Sequence, residues 1–147
     1  MVRPRLLEKL ARAGQHTVTL IAAPAGYGKT TVVTQWLASK PTTAKLAWVS
    51  LDSTENESAR LWTHIATALD RAGCSIARDI AGFIAAGRHD MMTAVLPRII
   101  DAIAVLPVEV TVLIDDFHIV RSGECNDQME FFVKHLPLNA HLVLITR

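Results

Sequence analysis

The sequence predicts an α/β fold of three layers, in which a parallel sheet of about four strands has helices on both faces. Three observations carry that expectation. Strand-like apolar runs alternate with segments of helical period four times along the 147 residues, the pattern of right-handed strand–helix–strand units. The first apolar run opens into a glycine-rich loop, and the third ends in a pair of acids, so polar chemistry gathers where parallel strands end. One domain accounts for a chain of this length, and its boundaries are expected to be residues 1–147.

Composition narrows the function classes. Half of the residues are hydrophobic and one fifth are charged, a globular balance. Fifteen basic residues against 14 acidic ones leave a formal charge of +1, so nothing advertises direct contact with nucleic acid or a membrane. Cys74 and Cys125 are far apart with no second cysteine near either, which suggests neither a zinc pair nor a disulfide framework. No leader-like or membrane-length apolar stretch is present in this sequence, and the expected location is cytoplasmic.

In chain order, Leu6, Leu7 and Leu10 give a short helix an apolar face before Gly14, as core cover or as a flank to a bound base. Thr17 to Ala22 is the first strand. Ala23-Pro24-Ala25-Gly26-Tyr27-Gly28-Lys29-Thr30 follows and fits the phosphate-loop template, with alanine at position 23 where the strict form has glycine. Small residues let successive backbone N–H groups wrap a polyphosphate. Ala25, Gly26, Tyr27, Gly28, Lys29, Thr30 and Thr31 are therefore the expected nucleotide contacts, Lys29 reaching the β/γ-phosphates and Thr30 offering its hydroxyl to Mg²⁺. Val32, Val33, Trp36 and Leu37 then repeat at helical spacing up to Pro41, with Trp36 as packing.

Leu46 to Leu51 is the second strand, ending in Asp52, Ser53, Glu55 and Asn56. That polar cluster either approaches the phosphates and metal, or leaves Asn56 or Ser58 to cap the next helix. Leu61, Trp62, Ile65, Ala66 and Leu69 line that helix until Gly73. Residues 74–90 read as a loop or a weak short helix. Met91 to Leu106 is helical again, with a kink or late start at Pro97.

Val108 to Ile114 is the third strand and delivers Asp115 and Asp116. Asp115 is the expected Mg²⁺ ligand, since a buried strand fixes it opposite the phosphate loop. Asp116 either polarises the attacking water as general base, with Lys29 the other catalytic candidate, or serves as a helix-capping or supporting carboxylate. His118 reads as a structural hydrogen-bonder. A helix through Met129, Phe132, Val133 and Leu136, with Asn126 as a cap, leads to a last strand, His141 to Ile145, with Thr146 and Arg147 at its end.

With these blocks assembled, the chain resembles the P-loop NTPase domain of the signal-transduction ATPases with numerous domains (STAND), specifically the MalT-like, large ATP-binding regulators of the LuxR family. The resemblance is carried by residues 23–31 with Gln35-Trp36, by Trp48-Val49-Ser50-Leu51-Asp52, by Leu113-Ile114-Asp115-Asp116-Phe117-His118, by His135-Leu136-Pro137 and by residues 142–147. It implies a switch in which ATP and ADP favour different domain arrangements and slow hydrolysis resets the state. It further implies that Arg147 approaches the γ-phosphate, that Val2 to Arg5 lie near the adenine, and that the last strand runs between the first and third. In such regulators a fifth strand covers the first. This chain is expected to be truncated before it and to lack the DNA-binding domain, so the remaining domains of a larger regulator, or its oligomer, are the implied partners. Two other readings stay open: a standalone small phosphotransferase using the same loop, and an inert truncated remnant or interaction module.

Overall fold

The computed structural model describes residues 18–22, 26, 28–40, 42–87 and 90–146, the Thr30 side chain excepted. Four parallel strands, β1 (Val18–Ala22), β2 (Lys45–Ser50), β3 (Val110–Asp115) and β4 (Ala140–Thr146), form one sheet in the order β1-β4-β3-β2. The last strand thus lies between the first and third, as the resemblance implies. The register sets Ala22 beside Thr146 and Ser50 beside Asp115, which brings the carboxyl ends of all four strands to one side of the sheet.

Burial explains the order. β3 and β4 are buried almost throughout because both have neighbours on each side and helices on each face. β1 reads nearly as apolar, yet it is an edge, and Leu20 is 63% exposed. Among the described residues no further strand pairs with it, so its apolar run lies at the edge of the described sheet.

Five α-helices are described: α1 (Lys29–Ala38), α2 (Ser58–Arg71), α3 (Ala77–Ala85), α4 (Leu96–Ala104) and α5 (Gly123–Lys134). On one face, Val32, Val33 and Trp36 of α1 pack on Leu113, Val143 and Ile145. Trp36 is a packing residue, as expected. The larger core lies opposite and takes Leu61, Trp62, Ile65 and Leu69 of α2 together with Ile99, Ile103 and Phe132. Trp62 meets Phe132 edge-on with ring centroids 5.3 Å apart, and its indole N–H donates to Gln128 at 2.8 Å, so a large ring is buried without an unpaired donor.

Local corrections have clear causes. Residues 74–90 contain a genuine helix, α3, because Asp70 accepts N–H bonds from Ile76 and Ala77 and satisfies its first orphan donors. A wide π-type turn over Met91–Val95 precedes α4. Pro97 has no N–H, and its ring would crowd the Thr93 carbonyl in a regular turn, so the chain widens there. The cap of α5 is Ser122, whose hydroxyl accepts from the Cys125 N–H, rather than Asn126. Neither Asn56 nor Ser58 caps α2. That helix begins after Glu57 without a side-chain cap, while Ser58 donates to Gln128.

Those two backbone bonds hold the Asp70 carboxyl below its ordinary titration range. A lowered native pKa stabilises the fold above the unfolded value, and that stability is lost as pH falls through the native one. Asp70→Ala should therefore speed amide exchange of Ile76 and Ala77 at pH 7, with the difference from wild type shrinking only as pH falls below the ordinary carboxyl value of 3.8 and through the lowered native one. Amide exchange measured by NMR across that range checks it.

The expected leucine helix at residues 6–10, the segment Val2 to Arg5, Ala23, Pro24, Ala25, Tyr27 and Arg147 lie outside the described residues.

Candidate nucleotide site

Construction of the site begins with β1 ending at Ala22 and α1 starting at Lys29. Between them, Gly26 has φ 88° and Gly28 has φ 69°. A Cβ at either position would meet none of the described residues within 4 Å, and the positive φ is itself a requirement, since left-handed backbone is cheap only for glycine. Gly28 is the residue before α1, and its carbonyl accepts from Val32 N–H. This places Lys29 at the helix N-terminus, where free N–H groups and the helix dipole favour an anion. Thr30 and Thr31 occupy the same first turn, and the Thr31 side chain is exposed.

Lys29 reaches across to β4 and donates from Nζ to the Thr146 carbonyl at 2.7 Å. The ammonium is thereby held over the carboxyl end of the sheet. Asp115, at the end of the neighbouring β3, lies within electrostatic reach of Lys29, Asp116 and His118. Burial first, then the Asp116 charge, raises the Asp115 carboxyl above its ordinary value; the Asp116 N–H, Lys29 and His118 oppose the rise in that order. The N–H of Asp116 donates to Asp115 Oδ1 at 2.9 Å. One carboxylate oxygen is thus engaged by the backbone, while burial and the Asp116 charge disfavour the ionised form.

Asp116 is the one described non-glycine residue with positive φ, at 59°. Aspartate tolerates this conformation better than most residues, and such geometry persists where the surroundings enforce it. It turns the chain directly into a short 3₁₀ segment, Phe117–Ile119. His118 Nδ1 is buried with no hydrogen-bond partner among the described residues.

The polar cluster after β2 forms its own capping box. Asp52 accepts from Thr54 N–H at 2.8 Å, while Glu55 accepts from Asp52 N–H at 2.9 Å and pairs with His64 at 2.8 Å. Hydrogen bonds from Thr54 hold the Asp52 carboxyl below its ordinary range. These acids are committed locally. Asn56 is different, because its side chain crosses to the loop after β3. Its place in a polar cluster was visible in the sequence, but its long-range partners were not.

The structure thus joins Lys29, Asp115 and Asp116 from the expected set at one end of the sheet, with Thr30 and Thr31 beside them on α1. No group of three His, Cys, Asp or Glu side chains able to hold a metal occurs among the described residues. Mg²⁺ takes one or two carboxylates and fills its shell from water and substrate phosphates. The donor set fits such an ion: a carboxylate on a rigid strand, opposite a cationic helix terminus.

No protein-family model matches the chain. It is, however, 33% identical over its whole length to the HTH-type transcriptional regulator MalT of Vibrio campbellii, and 31% identical, again over its whole length, to those of Vibrio cholerae and Klebsiella pneumoniae. The chain resembles MalT from end to end. It spans only 16% of the length of each of these MalT regulators. The similarity to MalT-like regulators implied by the residue blocks is thus upheld. Among the described residues no helix is long and apolar enough to cross a membrane.

Proposed function

We propose that this chain is the nucleotide-binding switch domain of a larger MalT-like transcriptional regulator, taking ATP and ADP with Mg²⁺ and hydrolysing ATP slowly. The observation that supports it most is the approach of Lys29 to the carboxyl end of β4 while Asp115, raised by burial and the Asp116 charge, lies at the end of β3. A cation aimed over a parallel sheet, beside a carboxylate at a strand end, matches the polarity of a magnesium nucleotide. Ala25, Gly26, Tyr27, Gly28 and Thr31 would supply backbone contacts to the phosphates, and Thr30 with Asp115 would hold the ion. Asp116 is assigned to the attacking water, and Arg147, which follows Thr146, to the γ-phosphate.

DNA binding and effector sensing belong, in this reading, to other parts of a longer regulator in the cytoplasm. The near-neutral charge of +1 gives this segment no electrostatic footprint for nucleic acid.

Titration with fluorescent ATP and ADP analogues, with and without Mg²⁺, tests the proposal. Saturable, Mg²⁺-strengthened binding is expected, and its absence in a folded chain would overturn it. Arg147→Ala should weaken ATP by about 10-fold, the loss of one charge-assisted contact, while leaving ADP within about twofold. Equal losses for both nucleotides would remove Arg147 from the γ-phosphate.

A further inference from the structure

We infer that Asn56 is the positioning residue for the loop that carries Asp116 and His118. The inference rests on the nucleotide reading above for its catalytic meaning, and on geometry alone for the positioning itself.

Both polar atoms of the Asn56 side chain bond to that loop. Nδ2 donates to the Ile119 carbonyl at 2.9 Å, and Oδ1 accepts from the N–H groups of Arg121 at 2.7 Å and Ser122 at 3.2 Å. The Asn56 carbonyl also accepts from the Cys125 thiol at 3.6 Å. A primary amide can satisfy a backbone acceptor and backbone donors at once, which neither a carboxylate nor a hydroxyl does in this arrangement. Asn56 thus behaves like a short added strand, pairing with a segment that has no strand partner.

The anchor is itself anchored. Asn56 ends the turn built by the Asp52–Glu55 capping box, and that turn follows β2, which is paired with β3 up to Ser50 and Asp115. Leu51 N–H continues the pairing to the Asp115 carbonyl at 3.2 Å. The chain therefore closes a circuit: out of the sheet along β2, across through Asn56 to Ile119–Ser122, and back through Phe117 and Asp116 to Asp115. Asp115 is fixed by the sheet. Asp116, in left-handed backbone, and His118 lie on the part of the circuit between these two anchors, where Phe117 and Val120 also pack against the core. Within it, Ile119 and Val120 donate to the Asp116 and Phe117 carbonyls at 3.0 Å, so a release at Ile119 is passed straight to Asp116.

The consequence is a division of labour: the sheet sets the metal-side carboxylate, and Asn56 sets the water-side one. Removing Asn56 should then impair turnover without impairing nucleotide affinity.

The experiment compares wild type, Asn56→Ala and Asn56→Asp by amide exchange and by nucleotide assays. Aspartate keeps the shape and the acceptors for Arg121 and Ser122 but loses the donor to Ile119. In both variants the Ile119 and Val120 amides should exchange at least about 10-fold faster, the loss of about one hydrogen bond, while β3 and α2 amides hold. Single-turnover hydrolysis of MgATP should fall about 10-fold or more, with affinity within about twofold. Unchanged exchange at Ile119 and Val120, or faster exchange confined to Arg121 and Ser122, would overturn the inference. So would wild-type turnover in both variants. If the wild type binds no MgATP, the nucleotide reading falls instead, and exchange at Ile119 and Val120 alone decides whether Asn56 pins the loop.

Discussion

Lys29→Ala should weaken MgATP binding by roughly 10- to 100-fold, the loss of about 1.5–3 kcal/mol for a charged hydrogen bond. The reason is positional as well as electrostatic. Lys29 begins α1 directly after the left-handed Gly28, and its ammonium already crosses the site to the Thr146 carbonyl. Binding a phosphate exchanges a neutral acceptor for an anionic one, with little further ordering of the side chain. Alanine removes both interactions and leaves the backbone N–H groups alone to attract the phosphates. Lys29→Arg should recover little, because a planar fork does not replace a compact ammonium at a tight loop. Titration of a fluorescent ATP analogue against the three proteins, with circular dichroism to show retained helix, provides the measurement. Equal, tight binding by wild type and Lys29→Ala would remove the loop from its assigned role.

A second large effect is expected at Asp115, and it has two opposed parts. Asp115→Asn should abolish the Mg²⁺ enhancement of nucleotide affinity, since a neutral amide is a poor ligand for a hard dication. The same substitution should raise the stability of the nucleotide-free chain. Burial and the Asp116 charge lift the Asp115 carboxyl above its ordinary value, so the folded state favours the protonated form. The associated stability is present at acid pH and lost as pH rises through the raised native value. An amide mimics the protonated acid, so the gain should be visible at pH 7 and fade toward pH 4. Solvent screening at this partly exposed site holds it to about 0.5 kcal/mol, a rise in Tm of roughly 1–2 °C. Thermal melts at both pH values, beside Mg²⁺ titrations of nucleotide affinity, measure the two parts. A destabilised variant that kept its Mg²⁺ dependence would contradict both.

Such a pairing of lost function with gained stability is what a binding carboxylate produces and a structural one does not. Asp52 offers the contrast. Its carboxyl is held low by Thr54 within its own capping turn, so replacing it costs local structure and yields no stabilisation.

Much of this arrangement is legible in the sequence. The alternation of apolar strands and helical faces predicts the parallel sheet, because β-branched runs and 3.6-residue spacing are local properties. The phosphate-loop spacing predicts small residues leading into a helix, and the structure adds that Gly26 and Gly28 are left-handed there. Boundaries shift by a residue or two: β3 starts at Val110 rather than Val108, and β4 runs from Ala140 to Thr146. Periodicity marks which residues face the core, but hydrogen bonding decides where a strand ends.

Capping assignments are less legible. Asn126 and Ser58 have suitable side chains at plausible spacings, yet Ser122 takes the first cap and Ser58 turns to Gln128. Several hydroxyl and amide groups compete for each helix start, and tertiary neighbours choose among them. The choice between loop and short helix at residues 74–90 stays open in the sequence for a related reason: the acid at the start of α3, Asp70, belongs to the preceding helix and reaches Ile76 and Ala77 across Gly73.

The sequence by itself determined the kinds of groups present: a glycine-rich loop with a lysine, an apolar strand ending in two acids, and the strand–helix alternation that orders them. These follow from local chemistry. Only the tertiary structure decided that β4 separates β1 from β3, that Lys29 spans to Thr146, that burial and Asp116 raise the Asp115 carboxyl, and that Asn56 bonds to the loop after Asp116. Each of those joins residues distant in the chain, and their relation is set by burial of the two faces of one sheet, which no local pattern records.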